Sequence, residues 1–184
     1  MAQWIAIEVD KWYRMLHPRP AVLIGSCSDN RCSVMAASWI TPVSKSPPML
    51  AVAIAEDRYT YGLIRESGQF SVMILPWSKV RELHFLGSVS AYDDPQKLEK
   101  SGLSWVEGKR LRVPVCLEAI AVAECLVEND VPSGDHRTVI GRVVELYAKP
   151  GVSLGDPRSY EVPLHVGGSL YTKPEANVIR IELE

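Results

Sequence analysis

The chain has 184 residues, of which 47% are apolar and 23% are charged, as in ordinary globular proteins. This length suits one domain with its own core, so we expect a single domain over residues 1–184. The formal net charge is −2 and no basic run is present, which argues against nucleic acid or an anionic membrane as a partner. Charges at Glu8, Asp10 and Lys11 interrupt the first apolar stretch, so no signal peptide is predicted and a cytoplasmic location is expected.

Four cysteines occur, at Cys27, Cys32, Cys116 and Cys125. Cys27 and Cys32 flank a predicted turn and could face each other as ligands or as a bridge. They lack the C-x-x-C spacing of common zinc and iron–sulfur sites, and no histidine pair has ligand spacing. We therefore predict no metal site and expect all four cysteines to be reduced in the cytoplasm, as small buried side chains.

Short apolar runs separated by turn residues predict a chain rich in antiparallel strands. The predicted strands are 21–26, 33–39, 49–55, 70–75, 119–127, 139–147 and 177–183, and the predicted helices are 60–67, 79–86 and 95–101. The turn at residues 28–31 predicts a hairpin between the first two strands. Thr60 is expected as the N-cap of the first helix and Gly68 as its end. Many strands with brief helices favour a closed or partly closed antiparallel barrel, and no G-x-G-x-x-G run supports a Rossmann site.

The segment from Ser38 to Ser44 leaves a predicted strand after two alanines and carries hydroxyls at Ser38, Thr41 and Ser44. Small side chains allow a flat ring to approach the backbone, and hydroxyls and amides can bond its polar edge. The alternative is a serine-rich loop that bonds only to itself.

Arg58 and Thr60 stand where the first helix is predicted to begin. A guanidinium, a capping hydroxyl and the unpaired amides of a helix start would form an anion site there. Alternatively, Glu56 and Asp57 could pair with Arg58 on the surface. With the preceding segment, this region predicts a site for a phosphorylated, flat, aromatic ligand.

Among the histidines, His136 follows Gly134 in a turn just before a predicted strand and could face a cleft. His17, His84 and His165 are expected to be structural or solvated. No G-x-S-x-G motif or catalytic cysteine context is present, so hydrolysis is not expected.

Several motifs occur in a fixed order along the chain: A-A-S-W-I-T-P-V-S (36–44), P-P (47–48), R-Y-T-Y-G-L-I (58–64), G-Q-F-S-V (68–72), K-L-E-K-S-G-L (97–103), E-C (124–125) and G-D-H…I-G-R-V (134–143). In this order they resemble the flavin reductase-like family with an FMN-binding split barrel. The resemblance implies a mainly β, antiparallel, Greek-key split barrel with short peripheral helices, assembled as a homodimer with one FMN per subunit.

The resemblance also implies site residues. It assigns FMN binding to Ala37, Ser38, Trp39, Ile40, Thr41, Ser44, Arg58, Thr60, Ser88, Ser90 and Lys97, and it places His136 near the nicotinamide side of the flavin. The chain departs from the family pattern at Ala91-Tyr92, where members often carry glycine followed by a basic residue.

The function implied is an NAD(P)H-dependent flavin or ferric reductase, in which NADH or NADPH delivers hydride to FMN. The acceptor would be free flavin, a ferric complex or a partner protein. One alternative is a flavoredoxin-like FMN electron carrier that reacts poorly with nicotinamides. Another is a non-catalytic split-barrel binding module that has lost its flavin.

Overall fold

A computed structural model describes residues 4–175 and confirms the predicted antiparallel, mainly β fold. Its strands are β1 (Arg19–Pro20), β2 (Val22–Ser28), β3 (Arg31–Ala37), β4 (Ile40–Lys45), β5 (Pro48–Ala55), β6 (Gln69–Ile74), β7 (Trp105–Glu107), β8 (Pro114–Cys116), β9 (Ala121–Ser133), β10 (His136–Ala148), β11 (Leu164–Gly167) and β12 (Leu170–Thr172). Its α-helices are α1 (Tyr59–Ser67), α2 (Val80–Ser88) and α3 (Lys97–Lys100), and 3₁₀ helices span Val9–Leu16, Trp77–Lys79 and Pro157–Ser159. The predicted strand 177–183 lies outside the described residues.

Seven strands form the main sheet, in the order β3-β2-β6-β9-β10-β5-β4. Three hairpins, β2–β3, β4–β5 and β9–β10, supply three of its six neighbouring pairs. The predicted turn between β2 and β3 is confirmed, with Asp29 in the left-handed conformation at φ 53°. A three-stranded sheet of β1, β11 and β12 and the β7–β8 pair complete the fold. No helix in residues 4–175 is both long and apolar enough to span a bilayer.

Both faces of the central strands are covered by apolar side chains. Along β2, Leu23 packs into one core cluster, whereas Val22 and Ile24 pack into another. Helix α2 covers the first cluster through Leu83 and Leu86. Because both faces are buried, the central strands carry continuous apolar runs rather than a polar–apolar alternation.

Helix α1 begins and ends almost where the sequence predicts. Gly68 adopts φ +68° and donates its N–H to the Ile64 carbonyl at 2.8 Å, so its predicted role as the helix end is confirmed. The predicted N-cap is wrong: Arg58 holds that position, and no side chain caps the helix. Thr60 lies in the first turn, where its buried hydroxyl is 3.0 Å from the Ser33 hydroxyl. The Thr60 hydroxyl, which the local sequence predicts as a helix cap, therefore bonds to Ser33 of β3 instead.

The largest difference from the predicted elements is β4. Residues Ile40–Lys45 were expected in a loop, yet they form an edge strand that pairs with β5. Pro42 and the many exposed side chains hide this strand in the sequence, because an edge strand tolerates proline. The predicted helix at 95–101 shortens to the single turn of α3.

The expectation that all four cysteines are reduced is wrong for one pair. Cys27 and Cys32 form a disulfide, because the register of the β2–β3 hairpin sets them directly opposite each other. Cys116 and Cys125 are free and buried, as expected, and burial raises the pKa of each thiol to about 12. These two thiols are therefore protonated at neutral pH and unsuited to nucleophilic chemistry.

Candidate functional site

The ends of β3 and β5, the start of α1 and the end of α2 enclose a cavity of about 270 Å³, which we call the first cavity. Of the predicted site residues, nine line it: Ala37, Ser38, Trp39, Arg58, Thr60, Ser88, Ser90, Lys97 and His136. The fold thus gathers residues from four separate parts of the chain around one space.

The other three predicted residues lie elsewhere. Ile40 and Thr41 line a third cavity of about 330 Å³ beside Trp12 and Leu16, and Ser44 lines none of these cavities. The physical reason is β4: once the chain enters this edge strand at Ile40, it leaves the first cavity.

Small residues form much of the wall of the first cavity. Ala36, Ala53, Ala55, Gly87 and Ala91 all border it. At Gly87 the helix approaches β3 so closely that an added Cβ would lie 2.9 Å from the Cβ of Ala36. Such walls leave room for a broad, flat group close to the backbone, which fits the ring system of a flavin.

The lining of the first cavity is positively charged. Arg58 and Lys97 both line it, and no acidic residue is found among its lining residues in the described part of the chain. Asp57 lies 3.5 Å from Arg58, but both side chains are more than half exposed, so this pair is weak. Glu56 is engaged by Arg137 at 3.4 Å instead. The guanidinium of Arg58 is therefore available to an anion.

The start of α1 adds backbone donors beside Arg58 in the first cavity. Since no side chain caps the helix, its first-turn amides at Tyr59 and Thr60 remain for a bound group. Anions bind favourably at such a position because of the helix dipole. Ser88 and Ser90 contribute hydroxyls from the opposite wall. The donor set fits a phosphate monoester.

Lys97 lines the first cavity and is almost fully buried, with 3% of its surface exposed. Its Nζ donates hydrogen bonds to the carbonyl oxygens of Leu86, at 2.9 Å, and Val89, at 2.5 Å. Burial lowers the pKa of Lys97 to about 8. Lys97 thus holds the end of α2 in place and also adds a positive charge to the lining of the cavity.

Aromatic rings also border the first cavity. Trp39 and His136 stack with ring centroids 4.9 Å apart and an interplanar angle of 21°. His136 Nδ1 lies 2.7 Å from a carboxylate oxygen of Asp135, and this contact lowers the pKa of that carboxyl. His136 is three-quarters buried, with 25% of its side chain exposed. The stack fixes the orientation of the imidazole at the cavity edge.

Several lining residues were missed by the sequence analysis. Ser33, Met35, Ala53, Ile54 and Tyr59 all border the first cavity. The end of β5 carried a usable signal, because Ala53 and Ala55 are small residues directly before the predicted Arg58 site. Ser33 carried none, since only the β3–α1 packing brings it to Thr60.

A second cavity, of about 220 Å³, adjoins the first and shares Ala36, Ala37, Ser38, Gly87 and Ser88 with it. Its other lining includes His84, His165 and Tyr171. Of the two alternatives for His165, structural or solvated, the structure favours the first: it lies in β11, partly buried, with Nδ1 3.2 Å from the Ser38 hydroxyl and Nε2 3.1 Å from the Gly168 carbonyl. Burial lowers its pKa, which favours the neutral ring.

Comparison with known proteins decides the family. The Flavin reductase like domain matches residues 13–162. The chain belongs to this family. The predicted recognition is confirmed, and so is the predicted fold class.

Two curated relatives illustrate the range of this flavin reductase-like family. An uncharacterized protein of Aeropyrum pernix is 39% identical over 141 residues, a match that covers 77% of this chain and 54% of that protein. The chain thus spans about half the length of that relative. An NADH-dependent flavin reductase of a Rhodococcus species is 30% identical over 171 residues, covering 84% of this chain and 92% of the relative.

A solved structure supports the same assignment. An FMN-binding protein of Thermus thermophilus, crystallised with bound p-hydroxybenzaldehyde, superimposes with a TM-score of 0.84 at 25% identity. The match covers 98% of this flavin reductase-like chain and all of the Thermus chain.

The buried ammonium of Lys97 predicts a pH-dependent stability. Its folded pKa of about 8 lies below the ordinary value of 10.5, so between these values the unfolded chain binds more protons and stability rises with pH. From about pH 7 to about pH 10, the free energy of unfolding of the wild type should rise relative to that of Lys97→Met by up to about 3 kcal/mol. Urea unfolding of both proteins across this range measures the difference. A constant difference would show that the pKa of Lys97 is not depressed.

Proposed function

We propose that this chain is an FMN-dependent oxidoreductase of the flavin reductase type, with NADH or NADPH as electron donor. FMN is the cofactor, as the sequence resemblance predicted. The single observation that carries the proposal is the first cavity, whose lining combines two cations and hydroxyls with small and aromatic side chains. This lining matches a molecule that carries both a phosphate and a flat ring.

Arg58, the amides of Tyr59 and Thr60, and the hydroxyl of Ser90 would hold the phosphate, whereas the Ser88 hydroxyl lies 3.4 Å from His84 Nε2 and bonds there. A guanidinium, two backbone amides and a hydroxyl can together satisfy the oxygens of a phosphate dianion. Lys97 adds positive charge from behind and fixes the position of the Ser88–Ser90 segment through its bonds to Leu86 and Val89. These contacts compensate for the absent basic residue at Ala91-Tyr92.

The segment Ala37-Ser38-Trp39 would hold the ring. Gly168 O can only accept a hydrogen bond, so His165 carries its proton on Nε2 and its Nδ1 accepts from the Ser38 hydroxyl. The oxygen of Ser38 therefore keeps its lone pairs for a ring N–H. Trp39 and Ala53 bound the same space with apolar surface, which excludes water from the reacting face.

When bound, FMN supplies the hydride and electron chemistry. The chain's own residues bind, orient and shield. His136, held flat against Trp39 at the cavity edge, would position the nicotinamide of the donor. Correct orientation accounts for a large share of catalysis in such reactions.

The acceptor of the electrons would be free flavin, a ferric complex or a partner protein. The kinship with the Rhodococcus NADH-dependent flavin reductase supports reduction by a nicotinamide. The homodimer and the cytoplasmic location stay predictions. Many apolar side chains along Trp4–Leu16 are exposed, including Trp4 at 92% and Met15 at 80%, which supports burial of this segment against another chain.

The spectrum of the protein tests the function directly. The purified chain, or the chain after addition of FMN, should absorb in the visible region as a flavoprotein. Under anaerobic conditions NADH or NADPH should then bleach this absorption. A chain that takes up no FMN would be a binding module without flavin, and one whose flavin neither nicotinamide reduces would be an electron carrier.

Arg58 is the sharpest test of the phosphate end. Arg58→Ala should weaken FMN binding by about ten- to a hundredfold, because a charge-assisted hydrogen bond is lost. Arg65→Ala is the matched control: Arg65 is exposed on the same helix and lies outside the first cavity, so it should change affinity by no more than about twofold. Equal losses in the two variants, measured by fluorescence titration with FMN, would remove Arg58 from this role.

Substitution of His136 tests its proposed role in positioning the nicotinamide of the electron donor. His136→Ala should retain FMN but slow its reduction by NADH or NADPH about tenfold or more, because the donor loses its positioning group. Anaerobic stopped-flow absorbance measures the rate, and the FMN content of the variant serves as the control. An unchanged rate in a fully loaded variant would contradict the role.

A further inference from the structure

The second cavity adjoins the first and shares Ser38 and Ser88 with it, whereas His84, His165 and Tyr171 line the second cavity and not the first. Its volume of about 220 Å³ exceeds the roughly 150 Å³ of an engineered cavity that binds benzene. A benzene ring with one small polar substituent therefore fits.

One side of the second cavity is apolar. Ala21, Ala36 and Leu83 supply hydrocarbon surface, and two of them belong to the buried core of the protein while Ala36 packs against it. A ring placed against these side chains would exchange contact with water for dispersion contacts.

The other side is a cluster of hydrogen-bonding groups. His84 Nδ1 lies 3.2 Å from the Tyr171 hydroxyl, and His84 Nε2 lies 3.4 Å from the Ser88 hydroxyl. The rings of His165 and Tyr171 are 5.3 Å apart. No acidic residue is found among the described residues that line this cavity. Its polar side therefore favours a ligand that brings an acceptor oxygen.

The hydrogen-bond pattern makes Tyr171 the natural donor. When the Ser88 hydroxyl donates to His84 Nε2, the proton of the neutral imidazole lies on Nδ1 and is donated to the Tyr171 oxygen. The Tyr171 O–H is then left to donate into the cavity. Burial raises the pKa of Tyr171, so this proton is retained through neutral and mildly alkaline pH.

We propose that the second cavity is a binding site for a small aromatic compound that carries one acceptor oxygen, with its ring against Ala21 and Leu83 and its oxygen bonded to the Tyr171 hydroxyl. This site adjoins the proposed flavin site but does not require it. Its polar side is formed by His84 and Tyr171, which the proposed flavin site leaves unused, and by His165, which also holds the Ser38 hydroxyl.

Calorimetric titration with acetophenone and with benzoate tests the site, and ethylbenzene serves as the probe of similar shape without oxygen. At least one oxygen-bearing probe should bind with a Kd of about 1 mM or lower. Ethylbenzene should bind at least about tenfold more weakly, because it leaves the polar cluster without a partner. The two oxygen-bearing probes separate a neutral ligand from an anionic one.

The variant Tyr171→Phe removes one hydroxyl and keeps the ring, so the fold should be preserved, and its melting curve checks this. Binding of the preferred probe should fall about tenfold. Tyr160→Phe, at a tyrosine that lines neither cavity, is the matched control and should bind as the wild type does.

Each titration is run on the chain with and without added FMN, so that this proposal and the proposed function fail separately. Equal binding in both forms supports the second cavity as the site. Binding only to the flavin-free chain would assign the probe to the first cavity and overturn the proposal. Equal affinity for ethylbenzene, no loss in Tyr171→Phe, or no binding of either oxygen-bearing probe would also overturn it. A chain that takes up no FMN but binds the probe would refute only the flavin function.

Discussion

The close approach of α2 to β3 is the contact on which both cavities depend. At Gly87 the helix backbone comes so near to Ala36 that no side chain could be added without displacing one of them. Both residues border both cavities, so this contact sets the thickness of the wall between them. Lys97 secures the same helix end by bonding the carbonyls of Leu86 and Val89. A buried cation thus contributes to the shape of the site as well as to its charge.

The charged residues around the first cavity favour an anionic ligand. The acidic residues just before Arg58 do not neutralise it: Glu56 pairs with Arg137, and Asp57 makes only a weak, exposed pair with Arg58. Glu124, which is fully buried, accepts hydrogen bonds from the amides of Lys109, Arg110 and Leu111 and from the Tyr147 hydroxyl. The described lining of the first cavity therefore combines two cations with hydroxyls and amides, a composition suited to a bound phosphate.

Ser38 connects the two cavities chemically. Its hydroxyl donates to His165, so one residue faces the proposed ring site and is held by a histidine of the second cavity. This arrangement explains how a short serine side chain can keep one orientation in an open site.

Sequence alone was sufficient for the elements and residues that depend on local pattern. It determined the antiparallel strand content, the end of α1 at Gly68, the hairpin at 28–31, and nine of the twelve residues that now line one cavity. Tertiary structure alone decided the rest. Thr60 does not cap its helix. Its hydroxyl is buried beside the buried hydroxyl of Ser33, and the two bond to each other. Ile40, Thr41 and Ser44 leave the first cavity because pairing with β5 draws them into an edge strand. Cys27 meets Cys32 through hairpin register, and His84, His165 and Tyr171 meet only because β11 and β12 fold back beside α2. Except for Cys27 and Cys32, which are five residues apart, these contacts join residues that are distant in the chain, so local sequence pattern does not predict them.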